Sequence, residues 1–242
     1  MDHPDHLAAL RRDAPALLEA IRAAEPTTRV GGCPEWDAID LAWHIGEVHD
    51  FWASIVRDRM AAPDTYVDPE RPASPEEVLE FADARARLVV DTLESADPAE
   101  PVWTWTDRHD ARWVLRRMAQ ETAVHRADAE ALTVRPYRID PALAADGIDE
   151  FLEYFVPAVD DAPPLPGSVH LHCEDTDGEW VVRPAPGAAV SVTREHAKGD
   201  AAIRGAANDL LLVLWRRLPL DAVEVIGDRA VAEAFLARTR TE

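Results

Sequence analysis

The chain has 242 residues, 47% of them hydrophobic, and a formal net charge of −21. That length accommodates two domains, and that apolar content excludes a largely disordered chain. The acidity argues against nucleic acid and anionic membrane as partners, since both need a cationic face, and no apolar run is long enough to span a bilayer.

The first residues have no basic stretch followed by an apolar one, so no secretory signal is visible. Two cysteines, Cys33 and Cys173, cannot build a disulfide framework, which points to a reduced, cytoplasmic chain.

The first half reads as helices. Leu7, Leu10, Ala14, Leu17, Leu18 and Ile21 recur at three- and four-residue steps. Asp37 is a plausible cap for a second helix that runs to about residue 57. Its apolar stripe is Leu41, Ile45, Val48, Trp52, Ile55 and Val56. Ser74-Pro75-Glu76-Glu77 starts a third helix, with a capping serine, proline at the first helical position and glutamate three after the cap. A fourth follows Asp110 to about residue 132, and a fifth starts at Asp140-Pro141 and uses Ala144, Ile148, Phe151, Leu152 and Phe155. Helices 2 to 5, with helix 1 as a partner, suit a four-helix bundle. The long connection 58–73 contains three prolines and has the length of a loop that could cover a site.

The stretch 156–167 is too rich in proline to continue a helix and marks a linker. The domains expected are therefore a helical bundle at 1–157 and an α+β domain at 158–242. In the second half the period changes. Residues 169–173 and 180–183 flank Asp175-Thr-Asp-Gly178 as a hairpin, with further strands at 189–193, 202–204 and 223–226. A helix capped by Asn208 runs to Trp215, and a closing helix covers 229–238. Strands followed by packed helices make a small α+β domain.

Glu121 and His125 are four residues apart on the fourth helix, so both leave the same face. Met118, Thr122, Ala129 and Leu132 share that inward stripe. His44 sits between Leu41 and Val48 on the apolar face of the second helix. Buried polar groups are costly unless partnered, and one divalent cation would satisfy all three. Two imidazoles and a carboxylate are a common zinc set, and three protein ligands leave a coordination position open for catalysis. Taken alone, such a Glu–His pair is more often a surface pair or a satisfied core histidine; His44 is what strengthens the metal reading. His49 competes with His44 but lies roughly 140° round the helix from it. His170 and His172 share one face of a strand and read as a solvated pair, and His196 has no ligand spacing to them in sequence. The tryptophans read as core, and Cys33 as an inert thiol. Phosphate-binding glycine loops and a serine-nucleophile elbow are absent from the sequence, so nucleotide binding and serine hydrolysis lack support.

Two segments resemble a known family. Cys33-Pro-Glu-Trp-Asp-Ala-Ile-Asp-Leu-Ala-Trp-His44 is similar to the C-P-x-W-x-x-x-D-L-x-x-H segment of the mycothiol-dependent maleylpyruvate isomerase family. Glu121-Thr-Ala-Val-His-Arg-Ala-Asp-Ala-Glu130 is similar to its E-x-x-x-H-R-x-D-x-E segment. The resemblance implies a DinB-like four-helix bundle followed by a small α+β domain related to sterol-carrier folds. It implies that His44, Glu121 and His125 bind zinc or another divalent metal, with water in the fourth position. Leu210-Leu-Leu-Val-Leu-Trp-Arg-Arg217 resembles the family's L-L-x-x-L-W-G-R segment, which puts Arg217 on its arginine, facing an inter-domain cleft and a substrate carboxylate. Two positions depart from the family: Gln120 where many members have histidine, and Arg216 where the motif has glycine.

The implied activity is that of an enzyme using mycothiol as thiol cosubstrate. Its metal would activate the thiol for attack on a small electrophile, in cis–trans isomerisation or in S-transfer. Asp128 would orient His125 or bind substrate; an ion pair with Arg126 or Arg135 is the competing reading. The expected assembly is a monomer or weak homodimer. The rival function is a non-catalytic, metal-containing module that binds a small ligand.

Overall fold

A computed structural model describes residues 1–133, 138–157, 162–187 and 189–239. Two compact units divide between Arg138 and Ile139.

The first unit is built from four long helices, each started by a side-chain cap. Asp2 and Asp5 form a capping box at α1 (His3–Ala23). After the two short strands β1 (Arg29–Val30) and β2 (Cys33–Asp37), Asp37 and Asp40 form a second box at α2 (Ala38–Arg57). Ser74 and Glu77 form the third at α3 (Pro75–Ser95), and Asp110 caps α4 (Ala111–Ala131) by accepting from the Trp113 amide. Each cap satisfies amide donors that the helix itself leaves without partners. Helix α1 packs on α3 and α4, and α2 packs on the same two, which closes a four-helix bundle. Leu10, Leu17, Leu41, Ile45, Val89, Leu115 and Met118 fill its interior. A charged link crosses the same interior: fully buried Asp13 on α1 accepts from Arg126 on α4 at 2.7 Å.

Two expectations are corrected here. The bundle consists of α1 to α4, not of helices 2 to 5. Helix α5 (Pro141–Glu150), which runs on into a π-helical turn at Phe151–Phe155, belongs to the second unit. The physical reason is its apolar face, including Leu143, Ile148, Phe151 and Leu152, which is buried in that unit, where α5 packs on α6. The boundary therefore falls about twenty residues before the proline-rich stretch expected to carry it. Residues 158–161 of that stretch lie outside the described residues. On its far side Ala162 and Leu165 are buried, and Arg238 donates to the Pro163 carbonyl at 2.8 Å.

The second unit holds a five-stranded sheet in the order β5-β4-β3-β6-β7. The strands are β3 (Val169–Cys173), β4 (Glu179–Pro184), β5 (Val190–Thr193), β6 (Ala201–Gly205) and β7 (Glu224–Gly227). Strands β3 and β6 are parallel; the other pairs are antiparallel. Helices α6 (Ala207–Leu214) and α7 (Arg229–Arg238) pack on this sheet. Asn208 is not the cap of α6. It lies in the first turn and its Oδ1 accepts from the Ile139 amide at 2.9 Å, while the Asp175 carboxylate accepts from the Ala207 amide at 2.8 Å. Among the described residues no helix is long and apolar enough to cross a membrane.

Candidate metal centre

Helices α2 and α4 pack side by side, and each delivers part of one polar cluster. His44 leaves α2 nearly two turns after its Asp37 cap. Glu121 and His125 leave α4 on one face. His44 Nε2 and His125 Nε2 both lie 3.2 Å from the same oxygen, Glu121 Oε1. The three ligand atoms lie within 4.8 Å of one another. A tetrahedral zinc site with bonds of about 2.0–2.1 Å has donor-to-donor edges of about 3.3–3.4 Å. The two observed edges match, so the donor set fits a dication in both chemistry and spacing.

The surroundings orient these donors, and binding a metal would displace a proton from His125. Asp128, also buried, accepts from His125 Nδ1 at 3.0 Å. A ring that donates from Nδ1 keeps the Nε2 lone pair for a metal. Arg117, one turn before Glu121, donates to the other carboxylate oxygen, Oε2, at 2.6 Å. Burial opposes ionisation of Glu121, but His125 and Arg117 outweigh it and hold the carboxyl well below its ordinary value. Burial likewise opposes charge on His125, yet Glu121 and Asp128 raise it to about 9. The indole of Trp36, from β2, lies 4.5 Å from the His44 ring and 6.0 Å from that of His125, walling one side. One turn further along the bundle, His49 Nε2 meets Thr122 Oγ1 at 3.0 Å, and burial pushes His49 down to about 3, which keeps it neutral. His49, not Val48, takes the fully buried place on that stretch of α2.

The fold thus brings His44, Glu121, His125 and Asp128 together. Asp128 touches His125, and Arg126 pairs with Asp13 and with Glu130; Arg135 lies outside the described residues. Arg217 is on the second unit, half-buried after α6, and donates to the Trp215 carbonyl at 2.8 Å. Its neighbour Arg216, where the motif has glycine, adopts φ 63°, the left-handed region that glycine enters without cost. Hydrogen bonds from its guanidinium to the Leu214 carbonyl and Thr239 Oγ1, both at 2.7 Å, offset that strain.

Arg117 and Trp36 were not singled out by sequence reasoning. The signal for Arg117 was present: it precedes Glu121 by four residues on the buried face. Trp36 lies inside the segment that resembles the family, but only the β1–β2 hairpin turns its ring toward the histidines.

Residues 7–130 match the mycothiol maleylpyruvate isomerase N-terminal domain, and residues 142–234 match the MDMPI C-terminal domain. The chain belongs to the mycothiol maleylpyruvate isomerase family. Membership makes it an enzyme, an isomerase or another thiol-dependent catalyst. Two solved structures share its fold. A crystal structure of a histidine-to-alanine mutant of the mycothiol-dependent maleylpyruvate isomerase superposes with a TM-score of 0.66 at 11% identity, covering 93% of both chains. A second crystal structure of the mycothiol-dependent maleylpyruvate isomerase gives 0.60 at 12% identity, again over 93% of both. No curated protein sequence matches the chain. The second family domain starts at residue 142, in agreement with the division at Arg138/Ile139 and not with one at 157/158.

Proposed function

We propose that the chain is a metal-dependent enzyme that activates mycothiol for attack on a small electrophile, in cis–trans isomerisation or in S-transfer. His44, Glu121 and His125 are the metal ligands, zinc is the metal that best suits them, and the fourth position takes the thiol. The observation that carries this reading is the convergence of two imidazole nitrogens, from separate helices, on Glu121 Oε1. A dication bound there supplies a positive charge that keeps a coordinated thiol deprotonated at neutral pH.

The chain's own residues do the rest. Asp128 accepts the Nδ1 proton of His125, fixes the tautomer and aims Nε2. It is a positioning residue, not one that binds substrate. Arg117 engages Glu121 Oε2, which keeps the carboxylate ionised and presents Oε1 to the cluster. Trp36 excludes water from one side of the histidines, which strengthens every charge interaction beside it. Arg217 is assigned to a carboxylate of the substrate, since a guanidinium meets a carboxylate in a bidentate pair.

Metal analysis of the purified protein, followed by mycothiol titration of the Co²⁺-substituted form, tests the proposal. The expected result is a thiol-linked spectral change that His125→Ala abolishes while helix content stays intact. A metal-loaded protein that ignores every low-molecular-weight thiol would instead be a binding module.

A further inference from the structure

The sheet of the second unit gathers a separate set of metal-ligating side chains. His170 and His172 are two residues apart on β3, the central strand, so they share a face. His172 stands directly opposite Glu179 on β4, and His170 is its diagonal neighbour. The chain leaving β5 then returns over this face and adds His196. His172 Nδ1 lies 3.0 Å from Glu179 Oε1. His170 Nε2 and His196 Nδ1 lie 3.3 and 2.5 Å from Glu179 Oε2. One ligand atom from each of the four lies within 4.8 Å of the others.

We propose that His170, His172, Glu179 and His196 form a second divalent-metal site, of zinc class, that ties the segment after β5 to the β3–β4 hairpin. Three imidazoles and one carboxylate complete a tetrahedral zinc shell, with no position left for substrate. This distinguishes it from the three-ligand centre of the bundle and makes its role structural. Two features show a built site. The three ligands on β3 and β4 are carried by paired strands, which hold them more rigidly than a loop would. The fourth is anchored through the two residues before it. Arg194 pairs with Asp149 and lies over the Trp180 ring, and Glu195 accepts from Arg183 at 2.8 Å and from Thr193 at 2.5 Å. A surface depression of about 440 Å³, lined by His172, Asp177, Glu179, Glu195 and His196 among others, opens onto the cluster and gives an ion a path in.

The inference does not depend on the function proposed for the bundle, and the test keeps the two apart. Metal-free, tag-free protein carrying His44→Ala and His125→Ala is dialysed against Zn²⁺ alone. It should retain one zinc per chain, and its melting temperature should rise on loading. Adding His196→Ala should weaken binding by at least about 10–100-fold, the cost of losing even an outer-shell partner. Adding His172→Ala as well should remove both the zinc and the thermal shift. The His196 side chain is 80% exposed, so its replacement leaves the fold intact, which circular dichroism checks. A His44→Ala, His125→Ala protein that takes up no zinc overturns the proposal. So does one whose zinc is indifferent to His172→Ala and His196→Ala. Either failure leaves the bundle centre untouched.

Discussion

Arg117 and Glu121 face each other across one turn of α4, with the guanidinium 2.6 Å from Glu121 Oε2, so that Oε1 alone is left to His44 and His125. The cation is buried, with only 6% of its side chain exposed, so it acts in a medium where charges are poorly screened. The consequence for the bundle centre is that its single carboxylate is kept both charged and one-sided.

Replacing Arg117 should therefore act on the metal rather than on the fold alone. Arg117→Met is expected to lower zinc affinity by about 10–100-fold, as loss of an outer-shell partner generally does. Competition against a chromophoric chelator measures it. Unchanged affinity would mean that Glu121 needs no such restraint.

Asp128→Ala should release the tautomer of His125 and cost a similar factor of about 10–100 in metal affinity. Asp128→Asn keeps an acceptor for Nδ1 and should restore part of the loss. A role confined to folding would show no such rescue in metal affinity once both variants are shown to be equally helical.

The metal-free protein should lose stability as the pH rises. His125 has a folded pKa of about 9 against an ordinary 6.5, so its stabilising charge is fully present below about pH 6.5 and is lost as the pH climbs through 9. Glu121 stays ionised across that window. Urea midpoints of the metal-free chain at several pH values should fall between those limits, and His125→Gln should flatten the trend. Metal binding has the opposite sign, because a ligating imidazole must be neutral: zinc affinity should increase over the same interval, with proton release.

Gly227 ends β7 with φ 91°, and a Cβ built there would collide with the Asp200 carbonyl oxygen. Gly227→Ala is expected to destabilise the second unit by about 1–3 kcal/mol. Denaturant unfolding followed through Trp180, which is buried in that unit, reads the change.

Breaking the Asp13–Arg126 link should be more severe than its surface counterparts. Asp13→Ala leaves a guanidinium with only 16% of its side chain exposed and Glu130 at 3.6 Å as an acidic neighbour. A loss of about 3 kcal/mol is expected, against less than about 1 kcal/mol for an exposed pair such as Arg229–Asp221. Thermal melts of the two variants side by side decide it.

The amino-acid sequence by itself determined most of the local elements and singled out the three side chains proposed as the first donor set. Capping side chains at Asp37, Ser74, Asp110 and Asp140, and hydrophobic periods of 3.6 and 2, act within a few residues, so the long helices and the strands of the second unit were legible without any tertiary information, while the short β1–β2 hairpin was not. The Glu121–His125 spacing was legible for the same reason, and only His44 required a guess about which helix lay opposite. Tertiary structure alone decided the rest. Helix α5 carries a signal indistinguishable from that of a bundle helix, because an apolar stripe records that a face is buried and not what buries it. The cluster at His170, His172, Glu179 and His196 depends on the β3–β4 register and on the path taken after β5. Those are set by pairing and packing across tens of residues, and no spacing along the chain encodes them.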